Sequence, residues 1–97
     1  MRYDFHPDAL EEYNEAGQRY AEKEPGLDLR FIVSVETAIE SIVEDPLRWR
    51  RFDEDVRRCL TRVFPYAILY TIEADFILIV AVAHCSREPG YWKHRIS

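Results

Sequence analysis

The eight residues Phe76 to Ala83, FILIVAVA, are apolar at every position. A run of that length suits a strand and is far too short to cross a membrane. A strand with no polar face must be covered on both sides, so this one belongs in the interior of a sheet. Any fold for the chain has to bring apolar material to both faces of that strand.

The flanking pattern supplies one cover. Met1 to Phe5 alternates and reads as a short strand, and Pro7 then suits the first turn of a helix, where its missing N–H has no partner to lose. Leu10, Tyr13, Ala16, Gly17, Tyr20 and Ala21 recur at three- and four-residue steps and predict an amphipathic helix ending near Glu24. Pro25 and Gly26 break it. A second stripe, Leu29, Ile32, Val35, Ile39, Ile42 and Val43, stops at Asp45 and Pro46, giving an antiparallel helix hairpin. Residues 47–55 lack a period and read as a loop. Strands are then expected at Val56 to Phe64, Ala67 to Ile72 and Phe76 to His84, joined by connections short enough for an antiparallel meander. The expected fold class is α+β: an N-terminal strand and an antiparallel helix hairpin packed on one face of an antiparallel sheet, in the order β-α-α-β-β-β.

One helix hairpin covers one face only. Period-two alternation turns Ile68, Tyr70, Ile72, Leu78, Val80 and Val82 toward the helices and Leu69, Thr71, Ile79, Ala81, Ala83 and Cys85 away. With Arg58, Leu60 and Arg62 on the preceding strand, the far face is apolar in the middle with a basic rim. Its cover is either a partner polypeptide docked in a groove or the chain's own tail, Arg87 to Ser97, folded back.

With 97 residues, 47% of them hydrophobic, the chain is expected to form a single domain over residues 1–97. No run reaches membrane-span length and the charged start lacks a signal peptide's apolar stretch, so a cytoplasmic location is expected. Cys59 and Cys85 have neither disulfide-framework nor metal spacing, and with His6, His84 and His94 they imply no metal and no cofactor. Residues 1–46 carry 4 Lys/Arg against 12 Asp/Glu, whereas residues 47–97 carry 9 against 6. That asymmetry fits an anionic partner for the second half, a basic partner for the first, or simply a solvated face.

No nucleophile elbow, phosphate loop or paired-carboxylate motif is present, and Asp53, Glu54 and Asp55 read as solvated. The unusual segment is His84 to Arg95, with three cations, two histidines, Tyr91 and Trp92 in twelve residues. Phe64, Pro65 and Tyr66 lead into Ile68, Leu69 and Tyr70, and the ending carries His84, Arg87, Pro89, Tyr91, Trp92 and Arg95. With the strand, helix hairpin, three-strand order, these residues resemble the RelE/ParE superfamily of bacterial toxins, in its ParE-like plasmid-stabilisation branch.

This resemblance implies the toxin of a type II toxin–antitoxin system, neutralised by a cognate antitoxin whose C-terminal segment wraps it. RelE-like members cleave mRNA on the ribosome, and ParE-like members inhibit DNA gyrase. The basic positions of the RelE-like catalytic set fall here on Arg58, Leu60, Ala67 and Cys85, only one of them basic. The residues that an endoribonuclease could use are Arg58, Arg87 and Tyr91. A lone cation beside a phenol of ordinary pKa about 10 is a weak catalyst at neutral pH, and a net charge of −5 disfavours lodging in RNA. The expectation is therefore protein–protein inhibition with no catalytic residue, gyrase as the target by analogy, and nucleic-acid contact only through the antitoxin complex. The expected antitoxin- or target-binding residues are Arg57, Arg58, Leu60, Arg62, Leu69, Ile79, Ala81, Arg87, Tyr91, Trp92 and Arg95. The remaining alternatives are the ribonuclease and a non-toxic antitoxin-binding partner in operon autoregulation. A homodimer is left open.

Overall fold

The computed structural model describes residues 1–96. Strand β1 (Arg2–Phe5) leads into helix α1 (Pro7–Lys23), with Pro7 in its first turn and His6 as cap, its Nδ1 accepting from the Asp8 N–H at 3.1 Å. Gly26, at φ 87°, makes the left-handed turn into helix α2 (Leu27–Glu44). Strands β2 (Arg51–Asp53), β3 (Val56–Leu60), β4 (Tyr66–Ile72) and β5 (Phe76–His84) follow, then a 3₁₀ turn at Lys93–Arg95.

The α+β architecture expected from the pattern is present, with differences in the sheet. The sheet has five strands in the order β1-β5-β4-β3-β2 and is mixed, since β1 lies parallel to β5 while the other pairs are antiparallel. Residues 47–55 are also not all loop: β2 pairs with β3 through Arg51–Arg57 and Asp53–Val56. Three residues, Arg-Phe-Asp, are too few to show a period, and their pairing is set by the neighbouring strand. Strand β3 ends at Leu60 rather than Phe64, because Phe64 leaves the sheet plane to pack at 5.0 Å from Tyr20 and 5.4 Å from Phe31.

The apolar β5 lies between β1 and β4, as its composition demands. Its facing is partly inverted from simple alternation. Leu69 pairs with Ala81 but Tyr70 pairs with Ile79, so Val80 is an extra residue in a β-bulge. Ile77, Ile79 and Val82 join the helix-side core, while Val80, Ala81 and Ala83, with Leu78 beside them, lie on the far face. Thus Leu78 and Val80 do not meet the helices and Ile79 does. A strand apolar at every position has no polar phase to reveal where its register slips.

Of the two covers left open for the far face, the chain's own tail is the one present. Trp92, 3% exposed, packs with Tyr91 and Ile96 on Val56, Ala67, Leu69, Val80, Ala81 and Ala83. Ser97, the end of that tail, lies outside the described residues. Glu12 of α1 fastens it. One carboxylate oxygen accepts from the Val82 N–H and Arg95 Nη1, the other from the Tyr91 hydroxyl and Arg95 Nη2, all at 2.6–3.0 Å. Arg95 also donates to the Val80 carbonyl. Since β1 reaches only Ile79 in its pairing, these two side chains serve backbone groups of β5 that have no strand neighbour on that side.

Helix α2 buries Phe31, Val35, Ala38, Ile39 and Ile42. Leu29 and Ile32, expected in that stripe, are exposed instead, along with Val33. The helix is apolar round more of its circumference than one packed face needs.

Candidate functional site: an apolar groove with a basic rim

The exposed side of α2 and the outer edge of β3 enclose a groove of about 600 Å³. Leu29 and Val33, each 63% exposed and one turn apart, form the helical wall. Cys59 and Leu60 form the strand wall, and the turn after β3 brings Arg62, Val63 and Phe64 to its end. Strand β2 pairs no further than Arg57, so among the described residues β3 has no strand partner on its outer side from Arg58 to Leu60. Burial of Cys59 raises its thiol pKa, so the floor is an unreactive apolar surface at neutral pH.

Charge around this groove has one sign. Arg30, Arg48 and Arg62 line it and no Asp or Glu does, in a chain of net charge −5. None of the three is ion-paired among the described residues, and Arg48 lies over the Trp49 ring at 5.2 Å. By contrast, the hollow of about 680 Å³ at the sheet's other end mixes Arg51, Arg57 and Arg95 with Glu54, Asp55 and Glu73. Its charges cancel, so it has no excess field for an anion.

The residues expected to bind a partner fall into three groups. Leu60 and Arg62 line the groove, whereas Arg58 is exposed with its guanidinium 5.4 Å from the ring of Phe52, which packs on Trp92 of the tail. Arg57 is half-buried and donates to the Trp49 carbonyl. The other seven are placed elsewhere. Leu69 and Ala81 are buried beneath the tail, and Ile79 is buried on the helix side, so none offers surface. Trp92 and Arg95 are consumed in holding the tail, and Tyr91 donates to Glu12 at 2.6 Å with the Arg87 guanidinium 3.9 Å from its ring. Burial, followed by the hydrogen bond to Glu12, pushes the Tyr91 phenol well above the ordinary tyrosine range. A phenol so held neither gives nor takes a proton near neutral pH. His84 has a structural contact, its Nδ1 accepting from the Ser86 N–H at 3.0 Å.

Sequence reasoning missed Leu29 and Val33 as surface, together with Arg30, Arg48 and Val63. The available signal was the excess of apolar positions on α2: Leu29 and Val33 are four apart, off the Phe31–Val35–Ile39 line. Among the described residues no group of three His, Cys, Asp or Glu could hold a metal, and no helix is long and apolar enough to cross a membrane.

Residues 3–89 match the family described as the ParE toxin of the type II toxin–antitoxin system parDE. The chain belongs to the ParE toxin family. No curated protein matches this toxin significantly by sequence. Its fold is similar to a solved structure of the chromosomal ParDE toxin–antitoxin system from P. aeruginosa, with a TM-score of 0.75 at 14% identity, covering 87% of this chain and 95% of that one. This likeness is one of fold. Membership of the family makes an antitoxin the partner to seek on the toxin's surface.

Proposed function

We propose that this ParE-family toxin is neutralised by a cognate antitoxin whose acidic, amphipathic segment fills the groove between α2 and β3, and that the free toxin inhibits DNA gyrase by protein–protein binding in the cytoplasm. The observation that carries the antitoxin assignment is the groove itself, which combines exposed Leu29, Val33 and Leu60 with three arginines and no acid. An apolar trough beside a strand edge suits an extended or helical segment, and an unpaired basic rim favours acidic side chains on it. The gyrase assignment rests on family membership together with the state of the tail. Tyr91 and Arg95 are tied to Glu12, and of the superfamily's four ribonuclease positions only Arg58 is basic, the others holding Leu60, Ala67 and Cys85, so this chain has a poor set for moving protons at an RNA 2′-hydroxyl.

The paired test is supercoiling by purified gyrase and cleavage of ribosome-bound mRNA, each with toxin alone and with toxin plus antitoxin. Inhibited supercoiling that antitoxin restores is the expected result. Intact supercoiling with cleaved mRNA would establish the ribonuclease instead, and the absence of both effects, with normal growth on expression, would establish a non-toxic antitoxin-binding partner.

A further inference from the structure

Val63 is 85% exposed, the most exposed large apolar residue among those described, and it sits at φ 73°. Left-handed backbone is the province of glycine and asparagine, and a β-branched residue there is an outlier. The turn would form more easily with either of them. Packing within the chain does not compensate, because an exposed side chain returns little to the fold. The conformation is imposed by its neighbours. On one side the Ser34 hydroxyl of α2 donates to the Arg62 carbonyl at 2.6 Å. On the other the Phe64 ring is buried, and Thr61 Oγ1 donates to the Phe64 carbonyl at 2.8 Å. With both flanks fixed, the exposed Val63 side chain lines the groove together with Leu29, Val33 and Leu60.

We infer that Val63 is a specificity-determining anchor for the antitoxin, a strained residue held out of the fold so that an apolar side chain of the acidic segment can bury it. This rests on the groove reading above and adds to it which residue the partner must match. The single-signed rim favours an acidic segment and disfavours the same face of a second toxin, which would set Arg30, Arg48 and Arg62 against like charges.

The test uses the full toxin, purified cognate antitoxin, and the variants V63G and V63N, both suited to the left-handed turn. Each should match or exceed the parent in thermal stability while its antitoxin affinity falls at least tenfold, as expected for losing one buried aliphatic contact. A loss of several degrees in Tm, or an affinity within twofold of the parent, would overturn the inference. V33E separates the two levels: if it abolishes binding while V63G does not, the groove stands and the anchor falls; if V33E binds as the parent does, the groove reading itself fails. A concentration-dependent toxin dimer that V63G dissociates would reassign the residue to self-association and overturn the proposal.

Discussion

Replacing Glu12 by glutamine should loosen the tail and destabilise the whole domain. Glu12 accepts four hydrogen bonds, and its side chain is 16% exposed against 7% for Arg95. Glutamine keeps the shape and one oxygen acceptor but removes the negative charge. Arg95 would then be a buried cation whose nearest carboxylate is Asp8, 3.7 Å from Nε and half exposed. Breaking one partner out of a buried pair costs about 3–5 kcal/mol. Because Asp8 remains, we place E12Q near the lower end, about 3 kcal/mol. For a domain of this size 1 kcal/mol moves Tm by roughly 4–8 °C, so the midpoint should fall by about 12–24 °C. R95M should cost less, on the order of 1–3 kcal/mol, because the carboxylate keeps the Val82 N–H and the Tyr91 hydroxyl and is the better solvated of the two. Since both act in one network, the double variant should cost at least about 1 kcal/mol less than the sum. Urea unfolding followed by tryptophan fluorescence measures all three. An E12Q variant within about 1 kcal/mol of the parent, or a strictly additive double variant, would refute the claim that this pair fastens the tail.

Other outcomes are expected from the same geometry. R30E/R62E reverses charge on the groove rim at exposed sites, so folding stability should change by less than about 0.5 kcal/mol, while antitoxin association slows and its salt dependence weakens, as stopped-flow mixing at several ionic strengths would read. W92A removes the buried plug of the far face and should cost about 3–5 kcal/mol by denaturant unfolding, with dye binding revealing apolar surface if the tail detaches. Burial raises the phenols of Tyr13, Tyr70 and Tyr91, that of Tyr70 to about 12. A raised native pKa means stability present in full below the unfolded value of 10.0 and lost as pH climbs toward the native values. Unfolding free energy should therefore hold steady with respect to these groups up to about pH 9 and fall above 10, with phenolate absorbance rising together with unfolding. Phenolate appearing in full below pH 10 while the fold persists would contradict the burial.

Much of the fold was legible because its signals are local. The helix hairpin follows from Pro7, the Pro25–Gly26 break and Pro46, and the interior strand from an apolar run that no exposed position could tolerate. What escaped depends on pairs distant along the chain. The bulge at Val80 is invisible in FILIVAVA because inverting an all-apolar strand changes nothing in its pattern, yet it decides which residues lie under the tail. The tail's closure depends on Glu12 meeting Arg95 across 83 positions, and nothing near Glu12 in sequence separates it from Glu11 or Glu15 on the same helix.

Leu69, Ile79, Ala81 and Trp92, expected to offer surface, are buried for the same reason. The uncovered sheet face called for either a partner or the tail, and the chain fills that need itself with Trp92. The unsatisfied apolar surface then lies where the core had no use for it. On α2 the core takes Phe31, Val35, Ala38, Ile39 and Ile42, leaving Leu29 and Val33 to the outside. In the function proposed above, such side chains, exposed on two adjoining elements and bordered by arginines that have no ion pair among the described residues, are accounted for by burial against another molecule. Val63 is the strongest instance, since there the backbone is strained as well as the side chain exposed. Relaxing that turn should leave the fold intact and weaken only the complex, which distinguishes a surface shaped for binding from one merely tolerated.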